Sequence, residues 1–320
     1  MTNYANIAGS VPEGVIKRKI KTKKGVYWKN RYLFLMFLPG FIYFLIFRYG
    51  PLYGLLMAFK DYSLTDGVWA SPWAGLKHFK MLVNGQYFTH VLYNTVYISL
   101  AKILIGFPAP IILALMLHNV RNAAYRRIAQ TISYLPHFFS WVVLGGLITL
   151  ILSPNTGIVN QIIKAAGHEP IFFIASNKWF VPIAIITDIW KEIGWGSIIY
   201  LAALSGVNPE LYEAAEIDGA GKMRQIISIT LPTIVPTIVT MLILRIGSIL
   251  DAGFDQIFNL YSPAVYETAD IIDTYIYRMG LGSFQYSFAT AAGVFKSIIG
   301  LMMVLLTNTI TKKISGEGII

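Results

Sequence analysis

Six long apolar runs restrict what this chain of 320 residues can fold into. Each run is close to the ~20 residues that a helix needs to cross the hydrocarbon core of a bilayer. The runs lie at about 32–59, 91–117, 131–152, 179–204, 233–258 and 288–311. Charged residues make up 13% of the chain, against about 25% in soluble domains. The sequence therefore predicts an all-α integral membrane protein with six transmembrane helices.

The basic residues predict how these helices are oriented, because the connections between runs fall into two sets. The more basic set holds 15 Lys and Arg and consists of 1–31, 118–130, 205–232 and 312–320. The other set holds 6 and consists of 60–90, 153–178 and 259–287. Basic connections stay in the cytoplasm, so both termini are expected there. The net charge of +10 is thus attributed to membrane topology rather than to nucleic-acid binding. We expect a basic tail over 1–31, a six-span domain over 32–312 and a C-terminal tail over 313–320.

The connection 205–232 is polar and helix-forming, although it lies between two apolar runs. Asn208 suits a helix N-cap, and Pro209 suits the first helical position. Asp218 and the glycine after it signal a turn, and Asp218 can also cap the helix that follows. Pro232 should interrupt that second helix. The sequence predicts two short cytoplasmic helices joined by a bend.

Charged residues within or at the ends of the runs need an explanation, because each costs roughly 2.5–3.5 kcal/mol at bilayer depth. They include Asp188, Lys191, Glu192, Arg245, Asp251, Asp255 and Lys296. One interpretation is a water-accessible pathway for a polar substrate, which we favour for the group, with Trp190 beside it. The other is ion pairing between helices, and Asp188, Lys191 and Glu192 are spaced to pair among themselves.

Several chemical functions are excluded by the sequence. The chain has no cysteine, so it has no disulfide and no thiolate metal site, and no HExxH is present. We predict no catalytic residue and no metal ligand. The segment from Gly219 to Lys222 is not a phosphate-binding loop, because Glu216 replaces the first glycine and Met223 replaces the hydroxyl residue.

The connection resembles the EAA motif of permease subunits of ABC importers. The matching residues are Glu213-Ala214-Ala215, then Gly219, then Ile229-Thr-Leu231-Pro232. The resemblance extends over about 30–312 and is to maltose-type carbohydrate permeases, in particular those that import oligosaccharides derived from polysaccharides. Further matching segments are Arg31–Gly40, Arg48–Tyr53, Leu135–Trp141, Phe254–Phe258, Asp273–Tyr277 and Gln285–Ala289. Met223 and Ile226 stand where the family often has aromatic residues.

The resemblance implies a type I importer permease fold with cytoplasmic coupling helices. It implies that this chain binds no cofactor itself, and that ATP and Mg²⁺ are bound by a separate ATPase dimer. Implied further partners are a second, homologous permease, an extracellular solute-binding protein, an oligosaccharide and the bilayer of a bacterial cytoplasmic membrane. Residues implied to contact the ATPase are Glu213, Ala214, Ala215, Asp218, Gly219, Met223, Ile226, Leu231 and Pro232. Candidate contacts for the binding protein are Glu267, Asp270 and Asp273.

Two other functions remain open from the sequence. The chain could be an ion-coupled secondary transporter, which would need inverted repeats, or a membrane scaffold without a substrate. Aromatic residues such as Trp190, Trp195, Phe254 and Tyr286 could stack on sugar rings, although membrane aromatics more often pack or anchor. The sequence does not decide whether the substrate is neutral or anionic, since Arg245 and Lys296 are balanced by Asp251 and Asp255.

Overall fold

The computed structural model describes residues 30–315 apart from residue 248. Residues 1–29 of the expected basic tail, and 316–320 of the expected C-terminal tail, lie outside the described residues. Of the described residues, those from 30 to 54 form one compact unit and those from 55 onwards form a second. Among the described residues, the single strand-like pairing is an isolated bridge between Lys60 and Trp73.

The rest of the regular structure is helical, as the apolar runs predict. In chain order the α-helices are α1 Arg31–Phe44, α2 Gly67–Ala70, α3 Lys77–Asn84, α4 Gln86–Ala101, α5 Pro108–Asn119, α6 Ala123–Tyr134, α7 Trp141–Leu152, α8 Ile158–Ala165, α9 Asn177–Ser205, α10 Pro209–Ile217, α11 Lys222–Gln225, α12 Leu231–Gly247, α13 Phe254–Leu260, α14 Tyr266–Ala269, α15 Ile272–Tyr277 and α16 Tyr286–Ser315. π-Helical segments lie at Leu45–Tyr49, Lys102–Gly106, Ile226–Thr230 and Arg278–Gly282, and 3₁₀ segments at Gly50–Phe59, Leu135–Phe138 and Pro263–Val265.

Four helical stretches of the described chain are long and apolar enough to cross a membrane. They are Arg31–Phe59, Gln86–Asn119, Lys222–Gly247 and Tyr286–Thr309. The third predicted span is broken: Ala123–Phe138 and Trp141–Leu152 meet at 104° and count as a fifth span if taken together. The fourth predicted span is α9, a single helix of 29 residues that contains Asp188, Lys191 and Glu192. The four stretches, the bent pair and α9 would together make six spans, and this count stays a prediction.

A sharp break before α7 divides the third predicted span into two helical pieces. Pro136 lies in the 3₁₀ segment, and Ser140 caps α7 by accepting a hydrogen bond from the Val143 amide. The ammonium of Lys191 donates to the carbonyl oxygens of His137 and Phe139 at 2.8 and 2.6 Å. Because these carbonyls have a charged donor from α9, the chain can turn sharply here without leaving them unpaired.

The fifth predicted span is corrected at both ends. Its helix ends at Gly247, so Asp251 and Asp255 follow the helix instead of lying within it. At its start the helix does not stop at Pro232, because α11, the π-helical segment 226–230 and α12 are continuous from Lys222. A π-helical turn shifts the hydrogen-bond pattern just before the proline, whose nitrogen cannot donate.

Three buried clusters hold the second unit together. The largest joins α4, α7, α9 and α13 through residues such as Ile98, Leu144, Phe180 and Ile257. The second joins α3, α4, α15 and α16. The third joins α5, α9 and α12 around Tyr200. Helix α9 thus contributes to two of the three clusters.

Close packing of α9 on α6 gives the first testable prediction. A Cβ added to Gly194 would collide with the backbone of Ser133, whereas one added to Gly146 on α7 meets nothing within 4 Å. We expect Gly194→Ala to lower stability by about 1–3 kcal/mol, the usual cost of overpacking. Thermal unfolding of the purified protein in detergent measures this, with Gly146→Ala as the control. Equal unfolding midpoints for the two variants would contradict the packing argument.

Candidate functional site

The predicted helical hairpin is present, and we call residues 208–232 the coupling hairpin. Asn208 caps α10 by accepting a hydrogen bond from the Glu210 amide at 3.1 Å, which confirms the predicted N-cap. Gly219 has φ +76, a left-handed conformation that glycine adopts without strain. The prediction that Asp218 caps the second helix is wrong, because the N-cap of α11 is Gly221 and no side chain bonds there.

Polar side chains close the coupling hairpin across its turn. The ammonium of Lys222 donates to the Glu216 carboxylate at 2.7 Å, and this bond lowers the pKa of Glu216. The buried amide of Gln225 donates to the Ala220 carbonyl at 3.1 Å. The hydroxyls of Tyr212 and Thr230 are 3.0 Å apart, so α10 is tied to the start of the long helix.

The coupling hairpin presents apolar side chains at its surface. Met223, predicted as an anchor, is 69% exposed, and Ile226 is half-buried. Ile217 is 87% exposed, and sequence reasoning missed it. Its signal was an isoleucine placed directly before the turn, where a polar residue would be ordinary. Glu213 and Ala214 are exposed beside these residues.

Asp188, Lys191 and Glu192 do not pair with one another, so that part of the prediction is wrong, whereas ion pairing between helices is observed for Asp188. The Asp188 carboxylate is 3.1 Å from Lys102 of the α4–α5 stretch and 3.4 Å from Arg245 of α12. Lys191 bonds the carbonyls at the break before α7, as described above. Glu192 is 3.0 Å from the His137 ring, which stacks on Trp195 at 4.5 Å. Asp188 therefore joins α9 to the α4–α5 stretch and to α12, whereas Lys191 and Glu192 both join α9 to the segment before α7.

A cavity of about 210 Å³ lies beside these charges, and we call it the helix cavity. Asp188, Glu192 and Arg245 line it together with Trp195 and Tyr200. It brings together three of the predicted pathway residues. Trp190 is exposed on α9 and does not line this cavity.

A larger groove of about 780 Å³ contains two more of the predicted pathway residues, and we call it the aromatic groove. Asp251 and Lys296 line it, and so do the aromatic rings of Phe254, Tyr277 and Tyr286. Aromatic faces beside hydrogen-bonding groups suit a polyhydroxylated ligand with apolar ring faces. Asp255, also predicted, is exposed and lies outside both cavities.

Lys296 in the aromatic groove is held by Asp273, a residue that the sequence predicts as a contact for the binding protein. The ammonium lies 2.7 and 2.6 Å from the two carboxylate oxygens. Burial raises the pKa of Asp273, and the Lys296 charge opposes this shift. Asp273 thus belongs to the groove as well as to the connection before α16.

The other two expected contacts for a binding protein differ in exposure. Glu267 is exposed, and its carboxylate accepts from the Asn177 amide at 2.8 Å. Asp270 is completely buried and is bonded by Arg278, Tyr87 and Thr274. Burial therefore removes Asp270 as a surface contact in this conformation.

Lys102 and Gln256 are two of the interior polar residues that sequence reasoning missed. Both are buried, and their side chains are hydrogen-bonded to each other. Lys102 is one of the five basic residues within the predicted runs, which was the available signal. Gln256 gave none, because a single amide in a predicted span is unremarkable. Among the residues that the structure describes, no three His, Asp or Glu come together as a metal site.

Comparisons with known proteins agree over nearly the whole chain. A family model described as binding-protein-dependent transport system inner membrane component matches residues 106–316. The polygalacturonan/rhamnogalacturonan transport system permease protein YteP of Bacillus subtilis is 45% identical over 309 residues, covering 96% of each protein. Protein LplB of the same species is 44% identical over 301 residues, covering 92% of this chain and 95% of LplB.

Two solved structures have similar folds. One is a bacterial ABC transporter involved in the import of the acidic polysaccharide alginate, with a TM-score of 0.85 at 45% identity, covering 91% of this chain and 98% of that one. The other is a bacterial alginate ABC transporter in complex with an alginate pentasaccharide-bound periplasmic protein. It has a TM-score of 0.84 at 45% identity and covers 92% and 99% of the two chains.

The ion pair in the aromatic groove leads to a second prediction. Both side chains of Lys296 and Asp273 are less than a quarter exposed, so each is costly to leave alone. We expect Lys296→Met and Asp273→Asn each to destabilise the protein, with the double variant less destabilised than the sum by about 1–2 kcal/mol. Denaturation in detergent measures this double-mutant cycle. Strict additivity would indicate that the pair contributes nothing.

Proposed function

Because this chain belongs to the family of binding-protein-dependent transport system inner membrane components, we propose that it is the membrane permease subunit of an ABC importer for oligosaccharides. The observation that carries the proposal is the coupling hairpin. It is closed by its own polar contacts, it exposes Ile217 and Met223, and it continues into a long apolar helix. A surface of this kind suits a partner that must move the helix.

We assign the partner on the coupling hairpin to a separate ATPase dimer, which binds ATP and Mg²⁺. Glu213 offers a carboxylate to basic or donor groups of the ATPase, and Met223 and Ile217 offer apolar anchors. Ala214, Ala215 and Gly219 allow close approach because they are small. Asp218, Ile226, Leu231 and Pro232 complete the coupling loop 205–232. Docking biases the membrane helices only if it differs between the two states of the ATPase.

The aromatic groove is the proposed contact for the sugar. Phe254, Tyr277 and Tyr286 provide stacking faces, and Asp251 accepts hydrogen bonds from hydroxyl groups. The names of two relatives mention polysaccharides: polygalacturonan/rhamnogalacturonan for one and alginate for the other. Both are built from sugar rings, which supports an oligosaccharide substrate for this chain.

The remaining parts of the assembly follow from the same family. A second, homologous permease completes the pathway, and an extracellular solute-binding protein delivers the sugar, with Glu267 as a proposed contact. We propose a bacterial cytoplasmic membrane location, six spans over 32–312, and cytoplasmic tails over 1–31 and 313–320. A solved relative that contains a sugar-bound periplasmic protein supports the delivery step.

Reconstitution separates this function from its rivals, and Glu213 supplies the sharpest variant. Uptake of labelled oligosaccharides, neutral and acidic, should require the ATPase, the second permease and the binding protein. Glu213→Lys should abolish ATP-driven uptake and release the ATPase in pull-down, because the charge on the hairpin is reversed. Glu169→Lys, on an exposed loop before α9, is the matched control. Uptake driven by an ion gradient with this chain alone would instead establish a secondary transporter.

A variant in the aromatic groove tests the sugar contact. Loss of one aromatic face costs about 1 kcal/mol, so we expect Tyr286→Ala to raise the KM for uptake about fivefold. The transport assay above measures this over a range of binding-protein–sugar concentrations. Phe172→Ala removes an exposed aromatic residue outside the groove and serves as the control. Identical KM values for both variants would count against the groove.

A further inference from the structure

A fully engaged lysine lies in the interior of the helical bundle. The Lys102 side chain is 4% exposed, and its ammonium donates to Asp188 at 3.1 Å, to the Ala252 carbonyl at 2.9 Å and to Gln256. An ammonium has three protons, so these acceptors use all of them. A charge at this depth is stable only with such partners. Lys102 therefore fixes the Asp188 carboxylate against α4.

Neighbouring residues keep Lys102 in place. The Gln256 amide donates to the Ala184 carbonyl at 2.7 Å and to the Thr187 hydroxyl at 2.8 Å. A Cβ at Gly253 would come within 2.7 Å of the lysine nitrogen, and the φ of Gly253 is +90. The glycine thus leaves room for the ammonium to reach its acceptors. The π-helical segment Lys102–Gly106 that continues α4 is thus joined to α9 and α13 at this point.

Asp188 holds Arg245 with its second oxygen, and this contact is much looser. The nitrogen–oxygen distance is 3.4 Å, and the Arg245 side chain is 45% exposed, against 14% for Asp188. A long contact to an exposed guanidinium is the weaker of the two ion pairs of Asp188. If Arg245 separates from Asp188, the buried ammonium of Lys102 still pairs with this carboxylate. If Lys102 separated instead, its own buried charge would lose a partner.

Arg245 lies at the far end of the helix that starts in the coupling hairpin. The stretch Lys222–Gly247 is 26 residues long, which corresponds to about 39 Å. Lys222 itself bonds Glu216 across the hairpin turn. A displacement of the hairpin is therefore carried along one continuous helix to the Asp188–Arg245 contact.

The helix cavity is too small to make this contact a sugar site. Its volume of about 210 Å³ lies below the roughly 300–1,000 Å³ of typical ligand pockets. Both oxygens of Asp188 are already occupied by cations. The sequence predicts Asp188 and Arg245 as contacts for a substrate. We infer a different role for this pair.

We propose that Asp188 is a positioning residue that latches the coupling helix through Arg245: the pair is closed in the present conformation and opens when the ATPase displaces the hairpin. Lys102 is the fixed anchor of this latch and Arg245 its movable member. The inference rests on the proposed function, because it needs an ATPase on the coupling hairpin. It goes beyond that function by assigning a mechanical contact between the hairpin and the interior of the bundle.

Coupling between ATP hydrolysis and uptake tests the latch. In the reconstituted full transporter, Arg245→Gln should raise binding-protein-independent ATPase activity about fivefold, the change in a two-state ratio that loss of one half-exposed ion pair can produce. Uptake per ATP should fall accordingly. Arg245→Lys should restore the wild-type ratio, because it keeps the charge. Lys164→Gln removes a cation from the exposed face of α8 and is the matched control.

The contrary outcomes are distinct. If Arg245→Gln changes the KM for sugar and leaves uptake per ATP unchanged, Arg245 is a substrate contact and the latch is wrong. If Arg245→Lys fails to restore coupling, charge is not what the contact requires, and the latch is equally wrong. If the wild-type complex shows no ATP-dependent uptake, the proposed function itself fails, which separates that failure from failure of the latch.

A second measurement is independent of transport. The chain has no cysteine, so spin labels can be attached at Ile186→Cys on α9 and Leu244→Cys on α12, both exposed positions. The distance between the labels should change when ATP is bound without hydrolysis. Arg245→Gln should shift the nucleotide-free distribution towards the ATP-bound one. Identical nucleotide-free distributions in the wild type and the variant would overturn the latch.

Discussion

The contact between Lys102 and Asp188 is the interaction on which the arrangement of the second unit depends. An unpaired ammonium inside a transmembrane bundle is unfavourable by several kcal/mol, so the helices that supply its acceptors must stay together. Those acceptors come from α9 and from the segment around α13. Apolar packing among transmembrane helices supplies little directional preference, because lipid tails are as apolar as leucine. The buried polar contact therefore selects one register for α4, α9 and α13, and the surrounding apolar cluster fills the space around it.

The fold was largely predictable because its main signal is local. The fold class of an ABC importer permease, inferred from the apolar runs and the EAA resemblance, is confirmed by the family model and by the alginate importer structures. The partners that stabilise the helix breaks were not predictable, because they are far away in sequence. The turn before α7 is stabilised by Lys191, more than fifty positions away from the carbonyls it bonds. Pro232 misled the sequence reasoning for a related reason: whether a proline stops a helix depends on how neighbouring turns rearrange.

In the candidate site, too, the features with local sequence signals were predicted and the long-range contacts were not. The coupling hairpin was found from its sequence because an N-cap, a glycine turn and their spacing lie within 25 residues. The interior charges were found as a set, but their partners were not. Lys296 pairs with Asp273 and Asp270 with Arg278, and no spacing rule relates Asp188 to Lys102. Pairing is a property of the packed bundle, since it depends on which helix faces which.

One continuous helix connects the coupling hairpin to the Asp188–Arg245 pair in the interior. Had Pro232 ended that helix, the hairpin would be a separate surface segment, and movement there would be lost in a flexible joint. The π-helical turn at Ile226–Thr230 keeps the axis unbroken past the proline. It also places a local irregularity beside Tyr212, which holds the first helix of the hairpin to the second through Thr230. The two helices of the hairpin are thus joined directly before α12. Under the proposed function, a displacement of exposed Ile217 or Met223 would be carried to α12 as a whole, and Arg245 near the far end of that helix holds Asp188 by the looser of the two ion pairs of this carboxylate.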